Sequence, residues 1–341
     1  MCNNKYKKII TKKLVKQTRK LLEEKGRELL ETAKKVVLEE KIECSEIREA
    51  LQYFMKQYWQ DLTTPTLLSL SCEAAGGSSE DIKSIAVPLI IISGAIDIHD
   101  DIIDRSKTKD GRATVVGKFG KEIALVVGDL LLVNGFILLN KACGRIPNVK
   151  FSRVIEDIKT ALSELADAES LEILLQRKKT IKPDEYLHVV RKKAADIEGL
   201  MKVGAILGEG TENEIKALGR YGRGLGMLSI LRDDLIDLMD FREIRHRIKY
   251  ECLPFPLLYA LENPAVNSII ASASLRKKGD INLILDAIEK SGGFRHCKQV
   301  MDSIARESYS ALKIIKYQKT NLTLLIDFML HIWEEVEFTT I

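Results

Sequence analysis

Two aspartate clusters share the pattern D-D-x-x-D, at residues 100–104 and 233–237. If each cluster lies on an α-helix, its first and last aspartates are four residues apart and project from one face. Carboxylates within apolar helical stretches are costly to bury unless a cation pairs with them. Mg²⁺ prefers oxygen ligands and commonly shares its coordination shell with substrate phosphates. A solvated helix end could explain one cluster, but two matching clusters in apolar settings favour a Mg²⁺ site for a phosphorylated substrate.

The rest of the chain indicates that helices carry both clusters. Only 7 prolines occur in 341 residues, and apolar residues recur at spacings of three and four. Strand-like alternation around a tight turn is nearly missing, with Asp110-Gly111 as the one candidate turn. The breaks between predicted helices are short, and none is a long flexible linker. We therefore predict an all-α protein with a single helical domain over residues 1–341, of which residues 1–45 form a basic N-terminal extension.

Composition argues against several classes of protein. With 45% hydrophobic and 30% charged residues, the chain can bury a large core and is too apolar to be disordered. A net charge of +4, from 53 basic and 49 acidic residues, gives no argument for nucleic-acid binding. The 6 cysteines are scattered, without metal-ligand spacing or a disulfide framework, so we expect a cytoplasmic protein.

The sequence offers little that points to a membrane. No N-terminal segment has the layout of a signal peptide. The most apolar stretches, residues 85–96 and 123–139, fall short of the ~18 uninterrupted apolar residues of a spanning helix. We therefore predict buried core helices and no transmembrane segment. A lysine cluster could give weak contact with anionic membrane surfaces, although a solvated helix end explains it as well. Its members are Lys5, Lys7, Lys8, Lys12, Lys13 and Lys16.

Three further groups of residues accompany the clusters. They are I-H-D-D-I-I-D at 98–104 with G-R-A-T at 111–114 and G-D-L-L at 128–131, Y-L at 186–187 with R-K-K-A-A at 191–195, and R-D-D-L-I-D at 232–237 with L-P at 253–254. The chain resembles the trans-isoprenyl diphosphate synthase (polyprenyl synthetase) family in these stretches. With E-A-A-G-G at residues 73–77, the resemblance covers roughly residues 67–315.

The resemblance implies an isoprenoid-synthase-type antiparallel helical bundle around a deep apolar cavity. In the family, the two clusters face each other at the cavity mouth and bind three Mg²⁺. These ions hold the diphosphate of an allylic prenyl diphosphate and draw off pyrophosphate, which leaves a carbocation. The implied metal ligands are Asp100, Asp101, Asp104, Asp233 and Asp237. The implied catalytic set adds Asp234.

The same resemblance assigns basic residues to the diphosphate. Lys193 matches a lysine that contacts it, and Lys109 stands where an arginine normally does. Arg232 directly precedes the second cluster, and all three side chains would bind pyrophosphate. Glu169 and Glu172 fall near a Gln-x-x-Asp pair of the family.

Two residues before the first cluster bear on chain length. Ala95 and Ile96 lie on the turn where side-chain bulk sets prenyl length in the family, and the small Ala95 suggests a substrate longer than the shortest allylic diphosphates. His99 is a candidate for proton transfer, although a structural role beside the acids is the simpler interpretation. The family tendency is a homodimer.

The sequence departs from the family where isopentenyl diphosphate, the second substrate, should bind. The positions concerned are Asp61, Thr64, Ser93 and Asp110. Each lost charge-assisted hydrogen bond costs roughly 1.5–3 kcal/mol, so three or four would weaken binding by several orders of magnitude. Lys56 and Lys118 are conceivable substitutes.

After the second cluster, family elements are replaced by a basic segment that either caps the diphosphate or is a solvated loop. Its basic residues are Arg242, Arg245, Arg247 and Lys249.

Three functional hypotheses follow. The first, favoured by intact clusters beside an altered second-substrate site, is ionisation of an allylic prenyl diphosphate with the cation cyclised, quenched or passed to an acceptor other than isopentenyl diphosphate. The second is conventional head-to-tail elongation with isopentenyl diphosphate. The third is a non-catalytic partner subunit of a prenyl synthase, which the retention of both clusters disfavours.

Overall fold

The computed structural model describes residues 3–109, 111–178, 180–271 and 278–333. Within these ranges almost every element is a helix, which confirms the all-α class. The α-helices are α1 (Asn3–Leu38), α2 (Ser45–Tyr53), α3 (Thr63–Ala74), α4 (Ser79–Ile103), α5 (Val115–Phe119), α6 (Lys121–Lys141), α7 (Asn148–Gln176), α8 (Pro183–Lys193), α9 (Ala195–Leu207), α10 (Glu212–Met239), α11 (Phe241–Tyr250), α12 (Phe255–Leu258), α13 (Pro264–Ala271), α14 (Lys278–Ser291), α15 (Gly293–Ala311) and α16 (Lys319–Leu330). A π-helical turn (Phe54–Tyr58) follows α2, and a short antiparallel hairpin of β1 (Thr108–Lys109) and β2 (Arg112–Ala113) follows α4.

The contacts divide the chain into two compact units. The first-cluster unit contains Arg19–Glu156 and Val203–Thr211. The second-cluster unit contains Asp157–Lys202 together with the described residues of 3–18 and 212–333. Each unit holds one aspartate cluster. The single domain and the deep apolar cavity stay predictions.

Helix α4 is the core helix of the first-cluster unit and packs against α3 and α6. It begins with a capping box, in which the Ser78 hydroxyl and backbone N–H both lie within hydrogen-bond distance of the Asp81 carboxylate (2.8 and 2.7 Å). Ile85, Ile90 and Ile91 are fully buried along it. This packing fixes the helix whose last turn carries the first aspartate cluster.

A closed turn ends α4 directly after the cluster. Arg105 adopts a left-handed backbone conformation (φ 57°), and the Ser106 N–H donates to the Asp101 carbonyl at 2.9 Å. The buried Thr114 then holds the returning chain, because its hydroxyl donates to the Ser106 carbonyl (2.6 Å) and accepts from the Gly117 N–H (2.9 Å). The hairpin between these points brings Lys109 back beside the cluster.

Two described helices, residues 80–103 and α6, are long and apolar enough to cross a membrane by length and composition alone, a test that core helices also pass. In α4, 61% of the most apolar 18-residue window is buried, which confirms the predicted core helix, whereas only 33% of the corresponding window in α6 is buried. The prediction is therefore wrong for one face of α6. This face, the α6 stripe, consists of Leu125, Val126, Val133, Phe136 and Ile137.

Helix α10 organises the second-cluster unit and packs against α8, α15 and α16. Gly224 permits close approach of α15, because an added Cβ would collide with the Ser308 hydroxyl. The buried Tyr221 donates from its hydroxyl to the Leu322 carbonyl of α16 at 2.9 Å. These contacts fix the helix that carries the second cluster near its C-terminal end.

The predicted basic loop after the second cluster is instead helix α11. Asp240 caps it by accepting from the Arg242 N–H (2.7 Å) and the Glu243 N–H (3.4 Å). The helix buries Ile244 and Arg247 on one face, while Arg242 and Arg245 are exposed. One-sided burial explains why this charged segment is ordered as a helix.

Candidate active site

The first cluster presents its three carboxylates from the last turn of α4. Asp100 and Asp104 are partly exposed, whereas Asp101 is 2% exposed. The Oδ2 atom of Asp101 accepts a long hydrogen bond from the Tyr58 hydroxyl at 3.5 Å. Its Oδ1 atom is buried and accepts no hydrogen bond from the described residues. A buried carboxylate oxygen without a hydrogen-bond donor is costly, so Asp101 Oδ1 is a candidate ligand for a cation.

Lys109 supplies positive charge to the same cluster. Desolvation lowers its pKa, but the charges of Asp100, Asp101 and Asp97 outweigh this effect and raise the pKa above its ordinary value. Burial raises the pKa of Asp101 to about 7, against the opposing charge of Lys109. The predicted position of Lys109 near the cluster is thus present in the structure, and its role on a diphosphate stays a prediction.

Asp97 is a fourth carboxylate of this site that the sequence did not single out. It lies one turn before Asp101 on α4, and the Trp59 indole N–H donates to its Oδ2 atom at 3.0 Å. Trp59 is buried and stacks on Phe54, and the preceding π-helical turn brings it to this position. Burial, together with the charge of Asp61, raises the pKa of Asp97 to about 7. A partly buried acid beside an aspartate cluster was detectable only as an interruption of the apolar stretch.

We predict that Asp97→Asn stabilises the metal-free protein at pH 8. Folding raises the pKa of the Asp97 carboxyl from 3.8 to about 7. The ionised carboxylate is therefore disfavoured in the folded protein, and the free energy of unfolding falls as the pH rises from about 4 through 7. Asparagine keeps an acceptor for Trp59 and removes that penalty, a gain on the order of 1–3 kcal/mol after allowing for partial exposure. Urea unfolding with chelator at pH 8 and pH 5 checks this, with Asp302→Asn, at a partly exposed aspartate of α15, as control. A gain that is equal at both pH values would contradict the assignment.

At the positions expected to bind a second diphosphate, the described side chains make contacts within the protein instead. Asp61 accepts from the Thr63 N–H (2.7 Å) and the Thr64 N–H (3.3 Å) at the start of α3. The Thr64 and Ser93 hydroxyls are 3.2 Å apart. Asp110 lies outside the described residues. Of the suggested substitutes, the Lys118 ammonium lies 3.8 Å from the centre of the Tyr53 ring, and Lys56 is exposed.

The sequence also suggested roles for three other residues of α4: His99, Ala95 and Ile96. The His99 ring lies 3.2 Å from Asp129 Oδ1 and packs on Gly128, where an added Cβ would come within 2.6 Å of it. Ala95 is fully buried and Ile96 is partly exposed. Their role in prenyl length stays a prediction.

The second cluster places its aspartates in different environments on α10. The Asp233 side chain is 61% exposed, whereas Asp234 is 0% exposed. Asp234 accepts from the Tyr186 hydroxyl (2.9 Å), the Arg247 guanidinium (2.7 Å) and the Phe255 N–H (2.9 Å). Burial raises the pKa of Asp234, against the opposing charge of Arg247. Both carboxylate oxygens of Asp234 therefore accept hydrogen bonds within the protein.

Arg247 also reaches the last aspartate of the second cluster. Its Nη1 atom donates to Asp237 Oδ2 at 2.8 Å, and its Nε atom donates to the Cys252 carbonyl at 3.0 Å. Arg232 lies with its guanidinium carbon 4.8 Å from the centre of the Phe328 ring and its Nη1 atom 3.8 Å from Asp233. The Nε atom of Arg232 is buried and donates no hydrogen bond to the described residues.

The Lys193 ammonium is held by Glu169 and Glu172, the two glutamates that fall near a Gln-x-x-Asp pair of the family. It pairs with Glu172 and lies 3.1 Å from Glu169. All three side chains are largely shielded from solvent. The carboxylates fix the position of this ammonium at the end of α8.

The residues present fit Mg²⁺, although no group of three His, Cys, Asp or Glu side chains is already gathered for a metal among the described residues. The first cluster fits because its donors are carboxylate oxygens and Asp101 Oδ1 is buried without a partner. The second cluster fits through the exposed Asp233 and the Oδ1 atom of Asp237, because Arg247 binds Asp237 Oδ2 and both oxygens of Asp234 accept hydrogen bonds within the protein.

The sequence around both clusters matches a known family. Residues 45–289, which include both aspartate clusters and more than half of the chain, match the polyprenyl synthetase family. The chain belongs to the polyprenyl synthetase family. The predicted family and the predicted isoprenoid-synthase-type enzyme are thereby confirmed.

Curated relatives and a solved structure agree with this membership. A short chain isoprenyl diphosphate synthase of Methanothermobacter thermautotrophicus is 26% identical over 78% of this chain and 84% of that protein. An octaprenyl diphosphate synthase of Escherichia coli is 26% identical over 74% of this chain and 79% of that protein. The structure of a geranylgeranyl pyrophosphate synthetase from Pyrococcus horikoshii is 26% identical, covers 96% of this chain and 99% of its own, and has a TM-score of 0.76. Polyprenyl synthetases use Mg²⁺ with their diphosphate substrate.

Proposed function

We propose that this polyprenyl synthetase is a Mg²⁺-dependent prenyltransferase that ionises an allylic prenyl diphosphate and transfers the prenyl group to isopentenyl diphosphate. The observation that carries the proposal is the first cluster, where Asp101 keeps a buried oxygen without a partner. The named relatives are isoprenyl diphosphate synthases, so they support elongation better than the terpene-synthase-like hypothesis drawn from the sequence.

Each cluster contributes separately to the reaction. Asp100, Asp101 and Asp104 would bind Mg²⁺ in the first, and Asp233 with one oxygen of Asp237 in the second. When bound, Mg²⁺ supplies a Lewis acid that stabilises the leaving pyrophosphate. We propose three Mg²⁺ ions, the number that the resemblance to the family implies.

Basic side chains of the protein add to this stabilisation. The Lys193 ammonium is held in place by Glu169 and Glu172, and the Lys109 ammonium lies within the electrostatic influence of the first-cluster carboxylates. Charge-assisted hydrogen bonds from preorganised cations favour the charge that develops on the leaving group. Arg232, whose Nε donor is unused, is a third candidate for pyrophosphate.

A second candidate function has its own support. Asp61 accepts hydrogen bonds from backbone N–H groups at the start of α3, and Thr64 contacts Ser93, so these positions offer no cation for a second diphosphate. Asp97, held by Trp59, adds a further carboxylate to the same unit. These features favour transfer of the cation to an acceptor other than isopentenyl diphosphate, or its cyclisation or quenching.

One set of incubations distinguishes the two functions. Purified protein is given dimethylallyl, geranyl, farnesyl or geranylgeranyl diphosphate with Mg²⁺, with and without labelled isopentenyl diphosphate. Products are extracted and identified by mass. Longer labelled diphosphates support elongation, whereas pyrophosphate release without isopentenyl diphosphate, together with a hydrocarbon or alcohol product, supports the second function. Failure to consume any allylic diphosphate would contradict both.

We also propose a homodimer that forms through the α6 stripe. Its five residues are 41–55% exposed and span ~18 Å along one helix, at about 1.5 Å per residue. A two-fold axis would place the same stripe of a second copy against it, as in most homodimers. A contiguous apolar face of this kind is unusual on a monomer surface.

Val133→Asp or Phe136→Asp is expected to convert the dimer to a monomer, because a carboxylate would be desolvated at the centre of the apolar contact. Light scattering coupled to size-exclusion chromatography gives the mass directly. Val149→Asp changes an exposed valine outside the stripe and serves as the control. A wild-type protein that is monomeric at micromolar concentration would overturn this assignment.

A further inference from the structure

Arg247 is a buried cation at the second cluster. It is 9% exposed and lies on the inner face of α11. Its guanidinium donates to Asp234 Oδ1 (2.7 Å), Asp237 Oδ2 (2.8 Å), the Tyr186 hydroxyl (3.2 Å) and the Cys252 carbonyl (3.0 Å). The Glu251 carboxylate lies 3.6 Å from Nε. One side chain thus links α8, α10 and the chain after α11.

The contacts of Arg247 decide which carboxylate oxygens of the second cluster are available. Asp234 Oδ1 accepts from Arg247 and Tyr186, and its Oδ2 accepts from the Phe255 N–H. Asp237 has its Oδ2 atom bound to Arg247. A metal ion that approaches this cluster therefore meets the exposed Asp233 and the Oδ1 side of Asp237, together with a fixed positive charge.

We propose that Arg247 is an internal counter-ion that limits the affinity of the second cluster for Mg²⁺, and that this cluster gathers its metal only when the diphosphate supplies the missing ligands. The inference rests on the proposed role of the second cluster in metal binding. The Arg247 guanidinium occupies carboxylate oxygens that a divalent ion would otherwise use, and its charge repels the ion at short range. Arg247 is a positioning residue in this scheme, because it acts through Asp234 and Asp237.

The alternative is that Arg247 only stabilises the fold. A purely structural role does not account for all of its contacts. Asp234, Tyr186 and the Cys252 carbonyl already fix the guanidinium through its Nη2 and Nε atoms, and Nη1 is directed to Asp237. The additional bond to Asp237 extends to a carboxylate that is 24% exposed and lies on the solvent side of the cluster. A structural role predicts a loss of stability on substitution but no change in metal affinity.

The test measures metal binding without turnover. Mn²⁺ serves as a paramagnetic probe, and its binding to substrate-free protein is titrated by electron paramagnetic resonance. Arg247→Gln is expected to bind Mn²⁺ at the second cluster about tenfold more tightly than wild type, because Asp237 is released and a positive charge is lost. Adding Asp233→Asn should abolish that gain, which assigns it to the second cluster. Arg220→Gln removes an exposed arginine of α10 and is the charge-matched control.

A second variant keeps the test valid if Arg247→Gln does not fold. The double variant Asp234→Asn with Arg247→Gln replaces the buried ion pair by a neutral amide pair of similar shape and still frees Asp237. Equal Mn²⁺ affinity in the folded double variant and wild type would overturn the inference. If no form binds Mn²⁺ at either cluster, even with pyrophosphate added, the metal role in the proposed function fails as well. Tight binding by wild type without pyrophosphate would also contradict the proposed limit.

Discussion

Asp100→Asn and Asp233→Asn are each expected to lower pyrophosphate release from an allylic diphosphate by about 10³-fold or more. Asparagine keeps the shape of the side chain but loses the charge that a Mg²⁺ ligand needs. A 10³-fold loss corresponds to about 4 kcal/mol of transition-state stabilisation, at about 1.36 kcal/mol per tenfold change in rate. Both side chains are at least partly exposed, so neither substitution leaves a buried partner without its charge.

The measurement is a coupled pyrophosphate assay at saturating substrate and increasing Mg²⁺. A lost metal ligand shifts the Mg²⁺ dependence to higher concentration as well as lowering the maximum rate, while circular dichroism stays unchanged. Asp302→Asn, which alters a partly exposed aspartate of α15 outside both clusters, should retain wild-type turnover. Unchanged turnover in either cluster variant would remove that aspartate from the metal assignment.

Asp234→Ala is expected to destabilise the protein by about 3–5 kcal/mol, because it leaves the Arg247 charge buried without its main partner. The same change removes the acceptors of the Tyr186 hydroxyl and the Phe255 N–H, both inside the core. Asp233→Ala, one residue away, should change stability by less than about 0.5 kcal/mol because its side chain is 61% exposed.

Urea unfolding of the three proteins at pH 7 in chelator checks this difference. Chelator removes any contribution of bound metal, so only contacts within the chain are compared. The double variant Asp234→Asn with Arg247→Gln should recover much of the lost stability, since a neutral pair needs no buried counter-charge. If Asp234→Ala and Asp233→Ala unfold at the same urea concentration, Asp234 is not the structural centre of this cluster.

These two neighbours show what a sequence pattern can and cannot decide. Both aspartates belong to the same D-D-x-x-D motif, and the sequence assigned both to catalysis. Successive residues on an α-helix point about 100° apart, so one side chain faces solvent and the other faces the core. In the structure, Asp234 accepts hydrogen bonds from Tyr186 and Arg247. We propose that Asp234 positions the second cluster and does not bind metal.

The sequence by itself determined the all-α class, the family and the helices that carry both clusters. These depend on local periodicity and on short motifs, which are written in consecutive residues.

Only the tertiary structure showed which charges meet. Trp59 reaches Asp97 across 38 positions of the chain, and Arg247 reaches Tyr186 across 61. Such pairs depend on how separate helices pack, and no spacing in the sequence records them. The basic segment after the second cluster illustrates the same limit: as a sequence it is a charged loop, whereas packing of one face makes it a helix and buries Arg247. Burial decides whether a charged side chain binds solvent, a substrate or another residue of the protein, and burial is a property of the folded chain.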